Sequence, residues 1–137
     1  MPDLESIPQR GARAFFTLWT VVWIVAWVAL FVVMHVSLPE GTSVPPGGDK
    51  VMHFIAYFAL ALLGARSAFS RKLELTPRWL IKWLIIYAVY GAADEWLQGL
   101  VNRTPSVTDW AADVAGAWAA LGMAYVNRPV ESEPDSP

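Results

Sequence analysis

Four long apolar stretches, separated by short polar segments, run the length of the chain. Ala14 to Val36 contains 23 residues with no acid or base until His35. As a helix rising 1.5 Å per residue it covers about 34 Å, enough for a hydrocarbon core of about 30 Å. Arg10 and Arg13 in front of it would also suit a signal peptide. The stretch is longer than the usual apolar region of such peptides and no small-residue cleavage pattern follows it, so a retained anchor is expected. Val51 to Phe69, Trp79 to Val101 and about Val107 to Val126 give three further spans.

The connections are short. Residues 37–50 hold Pro39, Pro45, Pro46, Gly47 and Gly48 and read as an irregular loop. Residues 70–78 are basic and contain Pro77, and residues 102–106 form a tight turn with Pro105. Thr108 or Asp109 is the expected N-cap of the last helix. The tail 129–137 is acidic and Pro-rich and is expected to be disordered. The predicted organisation is therefore all-α: one transmembrane four-helix bundle over residues 1–128, its helices at about 14–36, 51–69, 79–101 and 107–126, then the tail.

Composition agrees with this pattern. Of 137 residues, 55% are apolar and only 16% charged. That leaves too few ionic side chains to coat a soluble globule of this size. There is no cysteine, which excludes disulfides, thiolate zinc sites and thiol nucleophiles. A formal charge of −2 excludes a strongly basic nucleic-acid binder. The bilayer is the expected solvent.

Basic residues set the expected orientation. Arg10, Arg13, Arg66, Arg71, Lys72, Arg78, Lys82 and Arg128 fall on one side, with only Lys50 and Arg103 on the other. Both termini are then cytoplasmic. Trp19, Trp79 and Trp83 would sit near the inner interface, and Trp96 and Trp110 near the outer one.

This topology brings polar side chains from distant segments to one depth. Asp49, Lys50 and His53 open the second helix at its outer end. Asp94, Glu95 and Gln98 occupy the outer turns of the third, Arg103 the following turn, and Asp109 and Asp113 the start of the fourth. Asp49, His53 and Tyr57 fall on an i, i+4, i+8 row, and Asp109, Asp113 and Ala117 on another. Asp94 and Glu95 point roughly 100° apart, so one is expected to face the bundle axis and the other a neighbouring helix or the headgroups. Intramembrane ionisable groups usually face an interior or a wet cavity. Five acids against Lys50, Arg103 and His53 imply either a protonated carboxyl or a bound cationic group. The fourth helix is rich in Ala and Gly and is expected to pack centrally. The first, with Trp19, Trp23 and Trp27 at four-residue spacing, is expected to be a lipid-facing buttress.

Asp49-Lys50-x-x-His53-Phe54-x-x-Tyr57-Phe58, Asp94-Glu95-x-x-Gln98, Arg103 and Asp109-x-x-x-Asp113-x-x-Gly116 together resemble the VanZ-like membrane protein family, whose founding member is associated with teicoplanin resistance. The resemblance runs from about Gly48 to Gly122. It departs at Asn102, where the family often has Gly, and at Asp113, where it often has Asn. It implies a cell-envelope role and carries over Asp49, Lys50, His53, Tyr57, Glu95, Gln98, Arg103, Asp109 and Asp113, but supplies no reaction.

Three functional readings stand at this point. In the first, the protein binds a glycopeptide drug or a lipid-linked envelope precursor in an outer-leaflet pocket, with Arg103 and Lys50 clamping phosphate. In the second, a membrane enzyme acts on a phospholipid or polyprenyl phosphate, with His53, Glu95 and Asp109 handling protons. In the third, the polar row only fixes helix register for an accessory protein. Tyr57 and Gln98 are chiefly expected as satisfied groups in helix interfaces. No serine carries a nucleophile pattern and no glycine-rich phosphate loop is present. No cofactor is expected and no metal site is assigned; a cation held by carboxylates and water would be Mg²⁺ or Ca²⁺ rather than Zn²⁺. Oligomeric state is left open.

Overall fold

A computed structural model describes residues 8–36, 45–101 and 104–128, with side chains from residue 18 onward. Among the described residues there are four α-helices and no strand: α1 (Pro8–His35), α2 (Gly48–Ser70), α3 (Pro77–Gln98) and α4 (Val107–Val126). A 3-10 turn, Gly99–Val101, ends α3. The tail and the first seven residues lie outside the described residues. Leu18–His35 and Gly48–Ser70 are long and apolar enough to cross a membrane. Lys82, Asp94 and Glu95 interrupt α3, and Ala and Gly dominate α4.

Each boundary has a local cause. Gly47 precedes α2 with φ +78°, a left-handed conformation that glycine adopts without a Cβ penalty. Thr76 caps α3 by accepting from Trp79 N–H at 3.2 Å, and Pro77 follows at the first helical position, where its missing N–H is harmless. The cap of α4 is Ser106, which accepts from Asp109 N–H at 3.3 Å. This corrects the expectation of Thr108 or Asp109. Ser106 has extended backbone and starts the Ser-x-x-Asp pattern that satisfies the first free amides, whereas Thr108 and Asp109 are already helical.

Short connections predict that consecutive helices are antiparallel neighbours. α1 packs on α2 and α3 on α4 in this way. The most extensive interface, however, joins the parallel pair α2 and α4, and α2 and α3 share no comparable backbone contact. Small residues explain the preference. Ala117, Ala120 and Ala124 of α4 are buried against Ala61, Ala65 and Ala68 of α2. A Cβ on Gly116 would collide with the Phe54 carbonyl oxygen, so only glycine permits this approach.

Aromatic side chains from α1 and α3 fill the remaining interior. Trp27 stacks on Tyr87 at 5.5 Å, and Trp23 meets Trp83 edge-on at 5.1 Å. Trp83, expected near the inner interface, is part of this packed cluster, flanked by Trp23 and Tyr87. α1 does not act only as a buttress: Thr20 shares a hydrogen bond of 3.0 Å with Ser67, and His35 reaches α3.

The exterior is more apolar than the interior at the α3 positions. Ile81, Ile85 and Val89 are 60%, 57% and 64% exposed along one stripe, while Asp94, Glu95 and Gln98 are buried. Polar groups inside and branched aliphatics outside reverse the arrangement of a soluble helix.

Candidate functional site

Three helix ends converge at one end of the bundle: the start of α2, the end of α3 and the start of α4. His53 is centred among them. Its Nδ1 lies 2.9 Å from Asp113 Oδ1, and both side chains are buried. A contact this short between an imidazole nitrogen and a carboxylate oxygen requires a proton between them. Glu95 Oε1 stands 3.9 Å from the same nitrogen, too far for a hydrogen bond.

Glu95 is held from its other oxygen. Oε2 accepts the Ser106 backbone N–H at 2.6 Å, which ties the end of α3 to the cap of α4. Oε1 is enclosed and has no hydrogen-bond partner among the described residues. Asp113 Oδ2 and the Tyr57 hydroxyl are in the same condition. Both approach Gly91: a Cβ there would stand 3.1 Å from Asp113 Oδ2 and 3.4 Å from Tyr57 OH. Gly91 therefore leaves room for two buried polar atoms that a larger residue would fill.

The rim is ionic. Lys50 Nζ bridges Asp49 Oδ2 and Asp109 Oδ1, each at 3.1 Å. Lys50 and Asp49 are partly exposed, whereas Asp109 is buried. Asp49 shares the sequence row of His53 and Tyr57 but lies in the first turn of α2, partly exposed and paired with Lys50.

Asp94 and Glu95 divide their work by azimuth. Glu95 faces α2 and α4. Asp94 faces α1, where its Oδ1 lies 3.6 Å from His35 Nδ1, and it accepts from Gln98 Nε2 at a long 3.4 Å. His35 Nδ1 is closer to the Phe31 carbonyl, 2.8 Å away, and donates its proton there. Both acids are buried, and of the two alternatives expected for the second acid, a neighbouring helix or the headgroups, Asp94 takes the neighbouring helix. Gln98 belongs to the Asp94 side rather than to the His53 centre. Arg103 lies outside the described residues, so the expected phosphate clamp has only Lys50 within them, already engaged by two carboxylates.

Two contributors went unassigned in the sequence. Ser106 anchors Glu95 through its amide, and its Ser-x-x-Asp capping pattern was the available signal. Trp110, expected at the interface, donates its indole N–H to the Ala88 carbonyl at 2.9 Å and fastens α4 to α3 beside the centre. No sequence pattern marks that bond.

A cleft of about 310 Å³ opens next to Glu95, between α3 and the start of α4. Trp96, Pro105 and Trp110 line it with Glu95 and Ser106. A larger groove of about 600 Å³ runs between α1, α2 and α4, but its lining from Trp19 and Arg66 to Phe69 is almost wholly apolar. Arg66 is thirteen residues past His53, about 20 Å along α2, so this groove is remote from the polar centre. The smaller cleft is the one with chemistry in its wall.

What the centre can do follows from these contacts. Asp113 can orient the His53 imidazole and stabilise its protonated form. Glu95 offers an uncommitted acceptor. Asp109 and Lys50 place a paired charge at the entrance. No known family, curated protein or solved structure matches the chain.

Proposed function

We propose that the chain is a four-span, VanZ-like membrane protein of the bacterial envelope, with both termini cytoplasmic and the acid–histidine centre just below the outer headgroups. The bias of basic residues toward the inner side and the apolar exterior of all four helices support that placement. In this reading the protein lowers sensitivity to teicoplanin-type glycopeptides by binding the drug or a lipid-linked envelope precursor.

The observation that carries the proposal is the uncommitted Glu95 Oε1, enclosed beside a cleft that Trp96 and Trp110 flank. A polar core that only held helices together would pair its buried atoms, since an unpaired one is costly in an apolar medium. Glu95 accepts an N–H from the amide or amine of the ligand, and the two indoles flank its apolar part. This replaces the phosphate clamp as the leading contact, because Lys50 is held by Asp49 and Asp109.

The His53–Asp113 pair favours a second reading. A buried carboxylate at 2.9 Å from an imidazole is the arrangement of a general base, so proton transfer on a phospholipid or polyprenyl phosphate is the alternative chemistry.

The test compares glycopeptide susceptibility of cells lacking the gene with cells expressing the wild type, Glu95→Gln or His53→Gln at equal membrane abundance. Native mass spectrometry of the extracted protein reads retained lipid or drug in parallel. Binding predicts that Glu95→Gln loses both protection and adduct. Catalysis predicts that His53→Gln loses protection but keeps the adduct. Unchanged susceptibility on deletion, with no adduct on the wild type, overturns the proposal.

A further inference from the structure

The three helix ends also bring together donor atoms that suit a metal ion. One imidazole nitrogen of His53 and one carboxylate oxygen each from Glu95 and Asp109 all lie within 4.8 Å of one another. Three donors around one ion at about 2.1 Å lie about 3.0–3.6 Å from one another, so closure by up to about 1.8 Å would complete the set. Side-chain rotation supplies that without moving a helix.

Two further observations point to a cation rather than to an acidic cluster alone. Glu95 is 6% exposed, and its Oε1 has no partner among the described residues; it stands 3.9 Å from Nδ1 of the His53 ring, so a ring rotation is what would turn Nε2 toward it. Asp113 accepts from His53 Nδ1, the outer-sphere contact that orients metal-ligating imidazoles and leaves Nε2 basic. Among the described residues Lys50 forms its ion pairs with Asp109 and Asp49 and makes none with Glu95.

We propose that His53, Glu95 and Asp109 bind one divalent transition-metal cation, with Asp113 as the positioning residue for the imidazole. One nitrogen and two carboxylate donors, completed by water, suit the Mn²⁺ to Zn²⁺ range better than the all-oxygen sites of Ca²⁺ or Mg²⁺. The convergence of His53 with two acids is what turns the choice away from Ca²⁺ or Mg²⁺, which carboxylates alone would suggest. The cation offsets the buried Glu95 carboxylate, shares Asp109 with Lys50, and leaves open positions toward the Glu95 cleft. This inference stands on donor geometry and does not require that the protein binds a glycopeptide.

The test is a titration of the full-length chain in detergent micelles, stripped with a chelator, using Zn²⁺ and, separately, Mn²⁺. One equivalent per chain is expected. Affinity falls by about 10-fold or more in Glu95→Gln and Asp109→Asn, by about 10–100-fold in Asp113→Asn, and is unchanged in Glu74→Gln at the other end of the bundle. Pulsed EPR of the Mn²⁺-loaded wild type needs no substitution and reads a coupling to one histidine nitrogen. Absence of that coupling, binding insensitive to Glu95 and Asp109, or preferential binding of Ca²⁺ or Mg²⁺ would overturn the proposal.

Discussion

At one end of the bundle His53, Glu95, Asp109 and Asp113 meet across three helices. Further along, Trp23, Trp27, Trp83 and Tyr87 fill the space between α1 and α3. The polar end is buried and the aromatic region partly so, and they are held by different physics. The aromatic region depends on volume and contact, and its few polar atoms are incidental: the Tyr87 hydroxyl donates to the Leu60 carbonyl at a long 3.4 Å. The polar end depends on which atom faces which, and it leaves Glu95 Oε1, Asp113 Oδ2 and Tyr57 OH without partners among the described residues. Buried polar atoms without a hydrogen bond among the described residues occur in the aromatic region too, at Trp23 Nε1 and Tyr90 OH, but these are neutral groups on rings, whereas at the polar end they include carboxylate oxygens of Glu95 and Asp113. The kind of group left unpaired, rather than burial, is what distinguishes the two regions.

The contrast can be broken by substitution. The largest effect is expected where the two regions share a support. Gly116→Leu would drive a side chain into the Phe54 backbone and separate α2 from α4, costing about 3 kcal/mol or more. Unfolding of the purified protein in SDS, followed by circular dichroism, measures it. Next is Trp27→Ala, which removes a large partly buried ring from Tyr87 and Tyr90 and is expected to cost about 3 kcal/mol without changing ligand or metal binding. If binding fell in step with stability, the two regions would not be separable.

The polar end should respond to changes at constant volume. A double-mutant cycle on His53→Gln and Asp113→Asn is expected to give a coupling of about 1–2 kcal/mol, the upper range for hydrogen bonds between membrane helices. A coupling near zero would mean that the pair does not hold the imidazole. The smallest effect is expected for Tyr57→Phe. Removing a buried hydroxyl without a partner is neutral or stabilising by up to about 1 kcal/mol. A stable Tyr57→Phe protein with impaired ligand retention would extend the functional centre one turn down α2, whereas a destabilised one would reveal a hydroxyl that does hold the fold.

Much of this architecture was readable along the chain. The pattern assigned the fourth helix to the residues it occupies, and the other three differ from it only at their ends. α1 and α2 begin earlier than the apolar runs because a helix continues through polar residues that hydropathy excludes. Val101 belongs to a 3-10 turn that starts at Gly99, against which the Pro105 ring packs closely. The polar candidates were also readable as a set, since helical rise places residues at a common depth whatever their neighbours are. Their partners were not. Depth does not say that Asp94 looks to His35 while Glu95 looks to His53, nor that Ser106 presents its amide to Glu95.

Length, apolarity and the ordering of charges along each segment are local properties. They were enough to specify four helices and to bring the ionisable residues to the same level. Rotation of each helix about its own axis is not local. It was decided when Gly116 and the alanines of α4 met α2 at close range and the tryptophans of α1 wedged against α3. Those contacts turn His53, Glu95, Asp109 and Asp113 toward one another. Packing of apolar surface at a distance from the centre therefore determines which charges share it.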